Sequence, residues 1–163
     1  MMKTNIDRRA LLGAGAAAIA GFALLRSPSI AAPRGFTVSH SPAEWKRLLG
    51  PERYAVLREA STEHPFTSPL LNEHRRGTFV CAGCALPLFS SATKFESGTG
   101  WPSFWTSLPG AVAMQTDHKM FVPRTEYHCV RCGGHQGHVF DDGPAPTGKR
   151  YCNNGVALKF IAA

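Results

Sequence analysis

The spacing of apolar and polar positions predicts two short helices where the main body of the chain begins. Ser41 is followed by Pro42 and Glu44, the pattern of a helix capping box with proline in the first turn. The first helix is predicted to end near Gly50, and Pro51 to begin a second one that runs to about residue 60. The side chains predicted to cover a sheet from this segment are Trp45, Leu48 and Leu49.

Further along the chain, short runs rich in β-branched and aromatic residues predict strands. Such runs occupy residues 77–80, 111–115 and 121–129, and another begins at residues 150–154 after a turn rich in proline and glycine. The second and third runs are predicted to form a hairpin. Pro123 indicates an edge strand or a bulge there, because proline cannot donate a hydrogen bond to a strand ladder. The pattern therefore predicts a mainly β fold with short N-terminal helices.

The first residues have a different pattern, typical of an export signal. Residues 1–31 contain a basic stretch, an apolar run shorter than the roughly 20 residues of a membrane-spanning helix, and small residues after it. Arg8 and Arg9 directly precede the apolar run, which favours a twin-arginine signal, although Asp7 is an imperfect match to that motif. We expect cleavage after Ala31, and an uncleaved membrane anchor is the alternative.

Composition favours one packed domain after this signal. Of the 163 residues, 44% are hydrophobic and only 18% are charged. We assign residues 32–40 to a linker and residues 41–163 to the domain. The formal net charge is +7, but several of the basic residues lie in the signal and Arg75–Arg76 is the notable remaining basic pair, so we expect no nucleic-acid binding. We expect an exported monomer in the bacterial periplasm, with no stable membrane anchor after cleavage.

Two CxxC motifs predict a metal site. They are formed by Cys81, Cys84, Cys129 and Cys132. Two such turns supply the four thiolates of a tetrahedral Zn²⁺ site, which is closed and therefore structural. A pair of disulfides or redox dithiols is one alternative. A compact site in which His135 and His138 replace the upstream pair is another, although its spacing is tighter than in ordinary Cys₂His₂ sites.

The fifth cysteine, Cys152, is the candidate nucleophile. If its segment is extended, Arg150, Cys152 and Asn154 lie on one face, because side chains alternate along a strand. A cation beside a thiol favours the thiolate, so we expect Arg150 to lower the pKa of Cys152. The alternative is a buried, inert cysteine, the more common environment of a lone cysteine.

Other candidate site residues are one tryptophan and two histidines. Trp101 lies between Gly100 and Pro102, which indicates presentation from a loop as an aromatic wall, although burial in the core is the usual role of a single tryptophan. His135 and His138 lie between a CxxC motif and Cys152, and histidine titrates in the range that proton transfer requires. His138 is the preferred acid. Two aspartates can either orient these imidazoles or form a turn. They are Asp141 and Asp142.

Four stretches of the sequence resemble one known family. They are CAGC, KFESGTGWPSF, RTEYHCVRCGGHQGHVFDDGPAPTGKRYCNN and ALKF. Over residues 41–161 the chain thereby resembles the type B methionine sulfoxide reductases, which act on methionine R-sulfoxide. The resemblance implies two antiparallel β-sheets, a Cys₄ zinc site distant from the active site, and Cys152 as the nucleophile. It also implies that Trp101 and His138 help form the substrate pocket. The residues implied around the catalytic thiol are His135, Arg150 and Asn154.

Three positions depart from the family pattern. Thr99 stands where a resolving cysteine is common, Asn153 where an aliphatic residue is common, and Gly155 where serine is frequent. Without a resolving cysteine, the sulfenic acid formed on Cys152 must be reduced by an external thiol, such as a thioredoxin-like protein. We therefore predict a zinc-containing reductase of protein-bound or free methionine R-sulfoxide. A zinc-ribbon-like binding module, with no catalytic role for Cys152, is the alternative.

Overall fold

A computed structural model describes residues 35–163 of the chain. The predicted signal peptide at residues 1–31 lies outside the described residues, as does the first part of the predicted linker. Among residues 35–163, no helix is both long and apolar enough to cross a bilayer.

The N-terminal segment forms one interrupted helix, α1, over Pro42–Glu59. It begins at the predicted capping box, in which Ser41 and Glu44 bond each other's backbone N–H groups. Gly50 has φ of 72° and breaks the helical geometry directly before Pro51, so the two predicted helices are two halves of one kinked element. The prediction for Leu48 was wrong, since it is 51% exposed.

The buried face of α1 explains this error. The helix buries Trp45, Leu49, Val56 and Leu57. Leu49 lies four residues after Trp45 and so on the same face, whereas Leu48 is turned away from Leu49 by roughly 100° about the helix axis.

The described residues form two antiparallel sheets, as the family resemblance implied, and these contain nine strands. The three-stranded sheet has the order β2 (Pro87–Ser90), β1 (Gly77–Cys81) and β9 (Leu158–Ala162). The six-stranded sheet has the order β3 (Lys94–Phe95), β4 (Ser103–Phe104), β8 (Arg150–Asn153), β7 (His135–Phe140), β6 (Arg124–Cys129) and β5 (Val112–Asp117). Within these residues there are three short 3-10 helices, Pro69–Asn72 between α1 and β1, Ser91–Thr93 between β2 and β3, and Gly155–Ala157 between β8 and β9. Strand β8, which carries Cys152, is therefore flanked by neighbours on both sides.

Aromatic side chains hold the two sheets together. Phe104 of the larger sheet stacks on Phe89 of the smaller sheet at 4.2 Å between ring centroids, and meets Phe79 edge-on at 5.0 Å. Tyr127 and Tyr151 extend this cluster, and all but Tyr151 are completely buried. Edge-to-face and offset-stacked geometries are those that aromatic pairs prefer. Because Tyr151 belongs to β8 and packs against Phe89 of β2, this cluster holds β8 against the smaller sheet.

The β5–β6 hairpin has a longer loop than predicted. The second strand begins at Arg124 and not at residue 121, so Pro123 belongs to the loop. The loop side chains Phe121 and Val122 are exposed. Proline's missing N–H is harmless there, because no partner strand requires it.

Candidate active site and metal centre

The nucleophile lies in a row of polar residues that crosses the six-stranded sheet. The strand register pairs Gln115 with Glu126, Glu126 with His138, His138 with Cys152, and Cys152 with Ser103. Residues directly opposite each other in antiparallel strands share a face, with Cβ atoms about 4.5–5.5 Å apart. His138 and Cys152 are therefore neighbours although they are separated along the chain by a turn.

A cavity of about 110 Å³ opens at this row. Its volume approaches that of a cavity of roughly 150 Å³ that binds benzene, so it can hold the end of one side chain. Among the residues that line it are Thr62, Trp101, Arg124, His138, Cys152 and Asn154.

His138 is oriented by a carboxylate from the neighbouring hairpin. Its Nε2 lies 2.8 Å from Oδ2 of Asp117, which also accepts a hydrogen bond from Nη2 of Arg124 at 2.7 Å. The backbone N–H of Lys119 donates to the other oxygen, and this contact, with those from His138 and Arg124, holds the pKa of Asp117 well below its usual range. An ionised carboxylate only accepts hydrogen bonds, so Nε2 of His138 carries a proton.

His135 has a separate carboxylate partner. Its Nδ1 lies 2.6 Å from Oε1 of Glu126, whose Oε2 accepts a hydrogen bond from Nε2 of Gln115 at 2.5 Å. Burial would raise the pKa of Glu126, but the bonds from Gln115 and His135 bring it below the usual value. Burial lowers the pKa of His135 itself, although Glu126 opposes this shift. His135 is buried beside His138 and does not line the cavity.

The environment of Cys152 contradicts the predicted low pKa. Burial raises the pKa of its thiol, and hydrogen bonds and charge from Arg150 and Thr99 only partly offset that effect. The charge of Arg150 is itself neutralised, because Asp142 binds its Nε and Nη2 in a bidentate pair, both at 2.8 Å. Asp142 thereby weakens the influence of Arg150 on the thiol.

A buried glutamate connects the tryptophan to the strand of the nucleophile. Nε1 of Trp101 donates to the backbone oxygen of Glu63 at 3.2 Å. The Glu63 carboxylate accepts from the N–H groups of Gly155 and Val156 at 2.5 and 2.9 Å, and its own N–H donates to Oδ1 of Asn154 at 3.0 Å. Burial raises the pKa of Glu63. Glu63 thus fixes Trp101 relative to the segment that follows Cys152.

Two of the three departures from the family pattern have local partners. Asn153 is fully buried and its Oδ1 accepts a hydrogen bond from the hydroxyl of Tyr127 at 2.7 Å, while its Nδ2 donates to the Asn154 oxygen. A Cβ on Gly155 would lie only 1.8 Å from Oγ of Ser68. Ser68 therefore occupies the space that a side chain at position 155 requires.

The four CxxC cysteines come together as a metal centre. Their Sγ atoms all lie within 4.8 Å of one another, with 3.6 Å from Cys81 to Cys132 and 3.5 Å from Cys84 to Cys129. A tetrahedron with Zn–S bonds of about 2.3 Å has edges of about 3.8 Å, so the four sulfurs fit such an ion. Hydrogen bonds from the other thiols lower the pKa of Cys129, and the bond from Cys132 has the largest effect.

The alternative arrangements of these ligands do not match the structure. The sulfur distances exceed the roughly 2.05 Å of a disulfide, and none of the five cysteines is in a disulfide. The compact Cys₂His₂ site is excluded because His135 and His138 are bound to carboxylates. The closest sulfur pairs join one motif to the other, so a metal here ties the end of β1 to the end of β6.

Comparison with known proteins identifies the family. Residues 49–162 match the SelR domain. Three similar proteins are each named peptide methionine sulfoxide reductase MsrB. The one from Methanosarcina barkeri is 53% identical over 76% of this chain and 87% of its own length. Those from Leifsonia xyli and Leptospira interrogans are 50% and 51% identical over 77% of this chain, and over 91% and 96% of their own lengths.

This chain belongs to the methionine sulfoxide reductase B family. The family assignment confirms the resemblance drawn from the motifs, and the two antiparallel sheets agree with it. The structure brings Cys152, His138, Trp101 and Asn154 to one cavity. Arg150 acts on the pKa of Cys152 but does not line that cavity, and neither does His135.

The carboxylates around this reductase site were not found from the sequence. Asp141 and Asp142 were candidates to orient the histidines, but they bind Lys149 and Arg150 instead. Asp117 and Glu126 hold the imidazoles. The alternation along β6 does put Glu126 on the same side as Arg124, but the pairing with β7 that brings it to His135 depends on the register between strands.

Proposed function

We propose that this chain reduces methionine R-sulfoxide to methionine, with Cys152 as the nucleophile. The observation that carries the proposal is the pairing of Cys152 with His138 across β7 and β8, at a cavity walled by Trp101. A nucleophile and an oriented acid–base group beside an aromatic wall match what attack on a sulfoxide requires. Membership in a family whose similar members are named peptide methionine sulfoxide reductases supports the proposed substrate.

The proposed first step needs no external proton. The sulfur of Cys152 attacks the sulfoxide sulfur, the sulfoxide oxygen is transferred to Cys152 as a sulfenic acid, and methionine leaves. The neutral thiol of Cys152 already holds the proton that the sulfoxide oxygen needs to become the hydroxyl of the sulfenic acid. A raised pKa of this thiol is therefore compatible with the reaction. His138 accepts the thiol proton and delivers it to the oxygen, while its protonated Nε2 stays on Asp117 and Nδ1 serves as the transferring nitrogen.

The surrounding residues position the reactants. Trp101, held by the Glu63 carbonyl, presents its ring to the methyl end of the substrate. Arg150 supports the thiolate as it forms, and Asn154 holds the end of β8 by donating from Nδ2 to the Gln136 carbonyl at 3.0 Å. His135 contributes indirectly, because it binds Glu126 and Glu126 lies opposite His138 in the strand register.

Zinc is the metal that we propose for the four-cysteine centre. Cys81, Cys84, Cys129 and Cys132 would hold it, and a fully protein-ligated ion supplies structural stability and no open position for substrate. The support is the sulfur geometry and the all-thiolate ligand set.

An external thiol regenerates the enzyme in the proposed cycle. The four other cysteines are gathered at the metal centre, and Thr99 is the residue beside Cys152 at the position where a resolving cysteine is common. A thioredoxin-like protein or a small thiol therefore forms a mixed disulfide with Cys152, and a second thiol releases it.

We also propose that the protein works as an exported monomer in the bacterial periplasm. The support is the basic, apolar and small-residue pattern of residues 1–31. Fractionation of the native host, with N-terminal sequencing of the mature protein, tests both the compartment and cleavage after Ala31. A full-length N-terminus on cytoplasmic protein would contradict the proposal.

A single-turnover experiment tests the catalytic proposal. The reduced protein is mixed with one equivalent of either epimer of N-acetylmethionine sulfoxide, without reductant, and methionine release is followed. We expect stoichiometric release from the R epimer and a dimedone-trappable sulfenic acid on Cys152. Cys152→Ser is expected to release none while retaining its metal and fold. A variant that turns over, or a preference for the S epimer, would refute the proposal and reopen the binding-module alternative.

A further inference from the structure

A second cavity lies beside the nucleophile. It measures about 390 Å³, and its walls include Glu96, Ser97, Thr99, Asp142, Pro144 and Arg150. Within residues 35–163, none of its lining residues also lines the 110 Å³ cavity that contains Cys152. The two cavities are therefore separate spaces on the surface of the domain.

Both cavities lie close to Cys152. Cys152 lines the smaller one, whereas Thr99 and Arg150, whose side chains both act to lower the pKa of the Cys152 thiol, line the larger one. The hydroxyl of Thr99 lies 2.9 Å from Oγ of Ser97, which in turn lies 2.8 Å from Oγ of Ser103. Thr99 is thus a neighbour of the Cys152 thiol and at the same time part of the wall of the larger cavity.

The chemistry of regeneration requires approach from that side. In the proposed cycle the oxygen on Cys152 comes from the substrate, so the sulfur–oxygen bond points into the smaller cavity. A thiolate that displaces this oxygen attacks the sulfur in line, from the side opposite the leaving group, as in thiol–disulfide exchange. The incoming sulfur must therefore reach Cys152 from outside the smaller cavity, and both Thr99 and the larger cavity lie outside it.

We propose that the larger cavity is the binding site of the thiol that regenerates Cys152. This inference rests on the proposed function, because it requires a sulfenic acid on Cys152. The ligand is a thiol, supplied either by a small molecule or by a cysteine side chain of a protein partner.

The regenerating step balances with the groups at hand. The thiol loses its proton on ionising, its sulfur bonds to the Cys152 sulfur, and the sulfur–oxygen bond breaks. The oxygen leaves as water after taking an equivalent proton, which His138 relays from the solvent in the smaller cavity. The thiol sulfur is oxidised and the sulfenic acid is reduced to a mixed disulfide. A second thiolate then attacks the sulfur of the bound thiol, and Cys152 leaves as a thiolate.

Ion pairs neutralise the charged walls of this cavity. Asp142 is paired with Arg150, and Glu96 with Nζ of Lys94 at 2.9 Å. Lys94 does not line the cavity, but when it is counted with Arg150 the positive and negative charges are equal in number, so the walls do not favour an anionic over an uncharged thiol. Dithiothreitol is therefore a suitable small probe, and a thioredoxin is the protein probe.

The test measures the two half-reactions separately. One equivalent of N-acetylmethionine R-sulfoxide converts each protein to its sulfenic acid, and methionine release gives the first rate. Dithiothreitol or thioredoxin is then added, and the sulfenic acid that remains is trapped with dimedone and quantified by mass spectrometry. Glu96→Trp and Pro144→Trp place a bulky ring in the larger cavity from two different walls.

We expect the second rate to fall by about tenfold or more in these variants with either thiol, since a misplacement of about 1 Å between reacting atoms can cost about 100-fold. Glu52→Trp is the matched control on an exposed site of α1, outside both cavities, with both rates expected to be unchanged. Thr62→Trp, at the smaller cavity, is expected to slow methionine release and not the second rate.

Failure of the proposed thiol site and failure of the proposed reductase function give different results in this experiment. If both folded variants are regenerated by dithiothreitol at the wild-type rate, the larger cavity is not the thiol site. Slowing with thioredoxin alone also overturns the inference, because the small thiol should need the same path. Absence of methionine release from the wild-type protein would instead overturn the proposed function.

Discussion

Opposing effects on single residues determine the reactivity of Cys152. Burial raises its pKa, Arg150 and Thr99 lower it, and the negative charge of Asp142 raises it again. A flanking arginine is therefore not sufficient to make an activated thiol when a carboxylate binds that arginine on two atoms.

The alkylation of Cys152 is predicted to follow these effects. In the wild-type protein, the midpoint of the pH dependence of iodoacetamide labelling should lie at or above that of a free thiol. Arg150→Ala should raise the midpoint further, and Asp142→Asn should lower it by removing the opposing charge. A wild-type midpoint well below pH 8 would contradict this account of the site.

Asp117 is predicted to support catalysis through His138. Asp117→Asn removes the acceptor that fixes the imidazole, so kcat should fall by about tenfold or more, part of the roughly 10²- to 10⁴-fold that a positioned acid or base supplies. Steady-state kinetics should show a larger effect on kcat than on KM and a shifted pH profile. Asp141→Asn is the control, because Asp141 is exposed and binds only Lys149. Unchanged kcat in Asp117→Asn would exclude this role.

The same carboxylate is predicted to contribute to acid stability. Because its pKa is lowered on folding, Asp117 contributes stability above its unfolded pKa, near 4, which is lost as the pH falls below that value. The difference in urea midpoint between pH 7 and pH 3 should therefore be smaller in Asp117→Asn than in the wild-type protein. An equal difference in both proteins would contradict the linkage.

At the scale of elements, the sheet register and the turn after β8 assemble the site. Strand β8 lies between β4 and β7, so one residue, Cys152, faces Ser103 on one side and His138 on the other. The 3-10 helix Gly155–Ala157 follows at once, and Glu63 binds its first two N–H groups. The segment around Glu63 is thereby part of the active-site frame.

Packing between Gly155 and Ser68 gives a prediction at this scale. Gly155→Ser should reduce the free energy of unfolding by about 1–3 kcal/mol, because the new Cβ meets Ser68 on both its Cβ and its Oγ. Ser68→Gly also costs stability, since Ser68 caps the N–H of Leu70. The double variant should lose less than the sum of the two, as measured by urea unfolding. Strict additivity would show that the two positions do not compete for space.

At the scale of the whole molecule, the metal centre joins the two sheets. Cys81 ends β1 in the smaller sheet and Cys129 ends β6 in the larger one, so an ion at their sulfurs connects both layers. Gln136, which precedes the active-site strand residues Gly137 and His138, donates to the Cys81 sulfur at 3.5 Å. Loss of the metal should therefore also disturb the position of β7, and with it His138, in the active site.

Metal removal is predicted to unfold the protein. Structural zinc contributes about 10–16 kcal/mol in small peptides, comparable with the roughly 5–15 kcal/mol stability of a domain. Chelation, or Cys129→Ser, should abolish cooperative thermal unfolding, and elemental analysis should find one zinc per chain. Cys152→Ser is the control cysteine variant and should retain the metal. Active, folded protein without any metal would refute this prediction.

Interactions between residues close in the chain were determined by the sequence alone. The capping box at Ser41 and Glu44, the kink at Gly50 and Pro51, and the CxxC turns depend on neighbours whose geometry the backbone sets locally. The family motifs also identified Cys152, His138 and Trp101, which line one cavity.

Only the tertiary structure decided what depends on contacts between distant strands. The partners of His135 and His138 follow from the register of β5, β6 and β7, in which a shift of one residue would turn Glu126 to the other face. The pKa of Cys152 follows from burial, which is a property of the assembled sheets. Alternation along β8 could therefore indicate that Arg150 and Cys152 share a face, but not that burial and Asp142 would outweigh the charge of Arg150.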